Sequence, residues 1–261
     1  MSNDVTLMST TRSEWIKFRS VRSTIMGFLL TFVLTIGLGV LITVAIRSHW
    51  SQTSPGDRFT FDAVSTSLAG TYFASFAVGV IGILFITSEY SSGSIRTTLA
   101  AVPNRVRLTL SKLIVLAVSM IIVSEIVCFI TFLTGQAIFS GVVPTASLAS
   151  SAVLRSVLFA GVYLTLLAVL GFAIGLILRQ SGACISVFTS ILLIIPLIIF
   201  FLPQSWQSSV AKYEPSALGR AMMSTSPPIA DFGAWTALMV LVIYVVIVLG
   251  VGTTMLVRRD A

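Results

Sequence analysis

Few side chains in this 261-residue chain are equipped for chemistry. There are nine acidic residues, one histidine and two cysteines. They form no cluster with metal-ligand spacing, and His-Glu-x-x-His does not occur. The Gly-x-x-x-x-Gly-Lys-Ser/Thr phosphate loop is also absent, so the chain has no such ATP site of its own. His49 sits beside Trp50 at the end of an apolar run and reads as an interfacial residue. Cys128 and Cys184 lie inside apolar stretches and read as small buried side chains. Glu125 stands alone in the middle of a long apolar run. An ionisable group there costs about 2.5–3.5 kcal/mol on insertion scales and faces protein or water. It is either a polar point on a transport path or dimer seam, or a structural hydrogen-bond partner of a neighbouring Ser or Thr, such as those on the first two spans. No acidic pair suggests proteolysis or a proton relay.

The elements that carry these residues belong in a membrane. Charged residues make up 10% of the chain, against about 25% in a soluble domain. The mean hydropathy is +1.03. These values exclude a soluble enzyme, a secreted disulfide scaffold and a disordered chain. Unbroken apolar runs, rather than alternation, select helices over a lipid-facing barrel. The net charge of +7 does not point to nucleic acid, because the basic residues are scattered at the ends of apolar runs.

A bilayer core needs about 20 apolar residues per helix. Charge-poor windows of that length predict six spans, near 24–46, 66–88, 113–139, 154–178, 183–202 and 233–257, within one domain over 1–261. The first run follows a polar tail and lacks a small-residue cleavage site, so it is no signal peptide. One set of connections holds eleven Lys and Arg and the other holds five. That bias places both termini in the cytoplasm. Gly171 and Gly175 form a Gly-x-x-x-Gly pair for close helix packing, within one subunit or across a dimer. Pro196 predicts a kink in the fifth span.

Two connections have structure of their own. In the N-terminal tail, Trp15, Phe18, Val21 and Ile25 recur at helical spacing beside Lys17, Arg19 and Arg22. This is a helix on the inner membrane surface, or else a basic flank of the first span. Glu14 falls towards its apolar side. Between spans two and three, Ser91 or Ser92 is suited to cap a helix start. Ile95, Leu99 and Val102 make one apolar face, Arg96 lies off it, and Pro103 stops the helix. Two turns are not stable alone, so something must pack on them. Glu89 is placed to cap or to pair with Arg96.

This loop resembles the ABC-2-type permease family, the membrane subunits of ATP-driven exporters of bacteria. The resemblance is carried by Glu89-Tyr-Ser-Ser-Gly93-Ser94-Ile95, then Thr98-Leu99-Ala-Ala-Val-Pro103-Asn-Arg105, then Lys112. Ser94 stands where threonine is commoner in that family and keeps the hydroxyl. The resemblance implies that the loop helix is a coupling helix docking onto a separate nucleotide-binding ATPase. Glu89, Gly93, Ser94, Ile95, Arg96, Leu99, Pro103 and Arg105 would form that contact. ATP and magnesium would sit in the partner chain, with no cofactor in this one. Two permease copies, identical or different, would work with two ATPases. Short re-entrant helices would precede the last span on the outside, with Pro215 at a first helical turn. The setting would be the bacterial plasma membrane.

Two other functions compete with export. A stand-alone secondary transporter would show an inverted repeat and ionisable groups in broken helices, and only Glu125 is a candidate. A membrane enzyme would need clustered His, Asp, Glu or Cys. A cavity with few charges favours hydrophobic or amphipathic cargo, such as a drug, lipid or peptide.

Overall fold

A computed structural model describes residues 6–20, 22–225 and 232–258; among them every regular element is helical. Six helices are long and apolar enough to cross a membrane: Ile25–Gln52, Gly70–Ser91, Arg105–Phe139, Ser151–Leu178, Ser181–Phe200 and Ala234–Arg258. Val21, Pro227, Pro228 and Asp231 lie outside the described residues.

The fourth span is the centre of the bundle. Its most apolar stretch is 83% buried, against 22% for the first, fifth and sixth spans. A helix apolar all round belongs in such a position. It packs against the second, third and sixth spans. The approach to the second span depends on glycine. A methyl group added at Gly171 would meet the Gly79 carbonyl oxygen, and one at Gly82 the Ala168 carbonyl oxygen. The Gly171/Gly175 pair therefore packs within the subunit. Cys128 and Cys184 are buried and free.

Helix ends differ from the charge-poor windows. The third helix begins at Arg105, where the Asn104 side chain caps the Arg107 amide at 3.0 Å. Arg105, Arg107 and Lys112 are thus helical residues. The second span continues to Ser91, and the loop helix is Ser94–Ala101. The sequence suggested Ser91 or Ser92 as its cap; neither holds the N-cap position, though the Ser92 hydroxyl accepts a long 3.5 Å bond from the Ser94 amide. Gly93 occupies the N-cap with φ 72°, a left-handed conformation that glycine adopts without strain. Pro103 stands just past the helix, as expected.

The fifth span is interrupted by a π-helical turn at Ser190–Ile194, directly before Pro196 in Ile195–Phe200. Proline lacks the amide that would continue the ladder, so the irregularity has a local cause. A further helix, Pro215–Met223, precedes the sixth span with Pro215 in its first turn. Most of it is buried, and Gly219 abuts the ring of Tyr163.

Candidate functional site

The N-terminal helix Leu7–Ser20 and the loop helix meet at one end of the bundle. The N-terminal helix turns Thr10, Glu14 and Phe18 inward. Those positions are four apart, so they share one face. Trp15 and Ile16 lie off that face and are exposed. The stripe that buries is therefore not the Trp15 stripe. Phe18 packs edge-on to Phe28 and Phe85, and Glu14 is buried beside it.

Glu14 is buried because a cation waits for it. Lys112 Nζ donates to Glu14 Oε2 at 2.6 Å and to Glu89 Oε1 at 2.7 Å. Its side chain is 1% exposed, with Glu14 at 2% and Glu89 at 12%. The ammonium also lies 5.1 Å from the centre of the Phe85 ring. Lys17 closes the cluster from the rim. It donates to Glu14 Oε1 at 3.0 Å, to Glu89 Oε1 at 3.4 Å and to Thr98 Oγ1 at 3.1 Å. Two carboxylates thus face two ammoniums, which is the condition under which charge tolerates burial. Burial works against the Lys17 charge, but Glu89 and Glu14 outweigh it and hold its pKa above the ordinary value.

The cluster joins three elements. Glu14 and Lys17 come from the N-terminal helix, Glu89 from the second span and Lys112 from the third. Thr98 adds the loop helix. Ile95 and Thr98 are the buried face of the loop helix, and Leu99 is half-buried. Gly93, Ser94, Arg96 and Pro103 are exposed. A short helix unable to stand alone is thereby held on one side and presented on the other.

A family model described as ABC-2 family transporter protein matches residues 10–198. The chain belongs to the ABC-2 transporter family. The match runs from the N-terminal helix into the fifth span. A comparison with curated proteins returned no match. Membership makes the chain a membrane transport component of the ABC class, a permease rather than a catalyst. Such permeases pair with nucleotide-binding ATPases.

The residues expected to form one contact in the permease divide into two groups. Ser94, Arg96, Gly93 and Pro103 face outward. Ile95, Leu99, Glu89 and Arg105 hold the loop end together. Glu89 pairs with Lys112 and Lys17, not with Arg96. A buried lysine across the helix interface is a stronger partner than an exposed arginine. Arg105 Nη1 donates to the Leu256 carbonyl at 2.7 Å, at the last turn of the sixth span. A cation there satisfies carbonyls left open by the helix end. Glu14, Lys17, Thr98 and Lys112 were not foreseen as site residues, although Glu14 on an apolar face was a signal and Lys112 closes the motif shared with the family.

Glu125 is remote from this cluster. Its carboxyl lies over Gly161 of the fourth span, where any side chain would collide with it. Oε2 is buried without a hydrogen-bond partner. No Ser or Thr of the first two spans bonds it among the described residues.

Proposed function

We propose that this permease exports a hydrophobic or amphipathic molecule, driven by a separate ATPase that docks on the loop helix. The observation that carries the reading is the mounting of that helix. Its inner face is fixed to the bundle by Ile95, Thr98 and the Lys17 bond, while Ser94, Arg96 and Pro103 face outward. A partner pressing on the exposed face acts on a unit tied to the N-terminal helix, second span and third span. The chain carries no phosphate loop, so ATP and magnesium belong to the partner.

The Lys and Arg bias puts the loop helix and both termini in the cytoplasm, in a bacterial plasma membrane. The working unit is two permease copies with two ATPases. The Pro215–Met223 helix, on the outer side in this orientation, is the re-entrant element. Arg96 is the residue placed to meet an acidic groove on the ATPase. Arg96→Glu reverses an exposed charge and leaves the spans folded. The test is co-purification of the ATPase and transport in cells. Both should fall in Arg96→Glu, while a comparable change at Arg58 has no effect. Unchanged co-purification and transport would remove Arg96 from the contact.

A further inference from the structure

A cavity of about 620 Å³ opens at the opposite end of the permease, between the first span, the second span and the Pro215–Met223 helix. Its volume lies in the range of about 300–1,000 Å³ common for small-molecule sites. Ile42, Ile46 and Phe73 give it an apolar wall, and Thr66 adds a hydroxyl. Two charged residues line it, Asp62 and Arg220.

Their situations are opposite. Asp62 is already bonded through both oxygens. Oδ1 accepts from the amides of Val64 at 2.8 Å and Ser65 at 3.3 Å. Oδ2 accepts from Ser224 Oγ at 3.2 Å, Thr225 N at 3.1 Å and Thr225 Oγ1 at 3.3 Å. Its lone pairs are spent on fixing the cavity's rim. Arg220 is exposed and makes no hydrogen bond or ion pair among the described residues. Its five donors remain available, in a planar fork suited to carboxylate or phosphate. The cavity thus offers a guanidinium whose donors are open beside an apolar wall, although its charge also acts on the buried Glu214 carboxyl, and a carboxylate, Asp62, with little left to give a cation.

We propose that this cavity binds an anionic amphiphile, with its head on Arg220 and its apolar chain against Ile42, Ile46 and Phe73. The assignment does not depend on where the ATPase docks or on the direction of transport. The same chemistry has two sources, a phospholipid of the surrounding bilayer or a smaller single-chain solute that the permease handles.

The test uses the intact permease in a neutral maltoside detergent, with binding counted by native mass spectrometry. The probes are dodecyl phosphate, phosphatidylglycerol and uncharged dodecanol. Wild type should hold one dodecyl phosphate per chain, and Arg220→Gln should bind it roughly tenfold more weakly, the loss expected for a charge-assisted contact. Arg220→Lys should recover part of the affinity. Ile46→Trp, which fills the apolar wall, should also weaken binding. Arg220→Gln also removes a charge that acts on the buried Glu214 carboxyl, so the thermal midpoint is read beside binding, and Arg220→Lys, which keeps the charge, is the control for folding. Phosphatidylglycerol binding with the same dependence on Arg220 identifies the bilayer as the source. Binding of dodecyl phosphate alone identifies a single-chain solute. Equal affinity of wild type and Arg220→Gln, or equal affinity for dodecanol, overturns the site.

Discussion

Lys112→Met tests the buried cluster directly. Methionine matches the length of the lysine stem, so packing is nearly conserved and charge is what changes. In the wild type the ammonium serves both Glu14 and Glu89 at 2.6 and 2.7 Å. Without it, Glu14, whose side chain is 2% exposed, keeps only the rim residue Lys17, which is 42% exposed. Removing one partner from a buried ion pair costs about 3–5 kcal/mol. The contact with Phe85 adds about 0.5–1 kcal/mol. The expected loss is therefore about 3.5–6 kcal/mol, at the upper end if Lys17 cannot shift inward. Reversible unfolding in mixed micelles, with SDS as denaturant and tryptophan fluorescence as readout, measures it. Adding Glu14→Gln to Lys112→Met should return about half of the loss, because a neutral amide needs no counter-ion. A Lys112→Met variant within about 0.5 kcal/mol of wild type would refute the reasoning, as would a double variant less stable than the single.

Other expectations follow from the same geometry. Gly82→Ala drives a methyl into the Ala168 carbonyl and should cost about 3 kcal/mol. Gly250→Ala, inside the sixth span with open space around it, should be neutral or stabilising by up to about 1 kcal/mol, and expression yield with unfolding midpoint separates the two. Arg105→Gln should cost about 1 kcal/mol, since the bond to Leu256 is half-exposed; amide exchange in the last turn of the sixth span should quicken. The Lys17 pKa is raised above 10.5, so its contribution is complete below that pH and is lost only as pH rises through the raised value. Protease sensitivity of the N-terminal helix should therefore be flat between about pH 6 and 9 in both wild type and Lys17→Met, with the variant cut faster throughout.

The six spans were legible because lipid enforces a simple rule, and charge-poor windows of about 20 residues satisfy it. The same rule marks the lipid-crossing stretch and not the helix ends. Arg105, Arg107 and Lys112 closed the window at 113, yet the helix starts at Arg105. Likewise Arg47 closed the first window, while the first helix runs on to Gln52. Helical hydrogen bonding does not stop where lipid does. Arg47 reaches the Ile138 carbonyl, so its charge is accommodated at the bundle's end. The loop helix was legible from Ile95, Leu99 and Pro103. Its start was placed one or two residues early, because a serine is a common cap; Ser92 does reach the Ser94 amide, but Gly93 takes the N-cap and supplies the left-handed turn that lets the chain leave the second span.

The charged cluster was only half legible. Glu14 stood out because it broke an apolar face, but periodicity describes one helix at a time. Its partner Lys112 is 98 positions away. Arg105 illustrates the same limit, since its acceptor Leu256 is 151 positions away. Outward-facing residues and anchoring residues share one short motif, and only packing separates Arg96 from Ile95.

The proposed function stands or falls with an ATPase that grips the exposed face of the loop helix. The most direct test is a gentle-detergent pull-down of tagged permease from its native cells, with mass spectrometry and an ATPase assay. The comparison is a variant in which Ser94, Arg96 and Pro103 are replaced while Ile95, Thr98 and Leu99 are kept. Wild type should bring down a stoichiometric phosphate-loop ATPase and the variant should lose it, with both permeases equally folded. A wild-type preparation free of ATPase, under conditions that keep other membrane complexes whole, would contradict it and shift attention to Glu125.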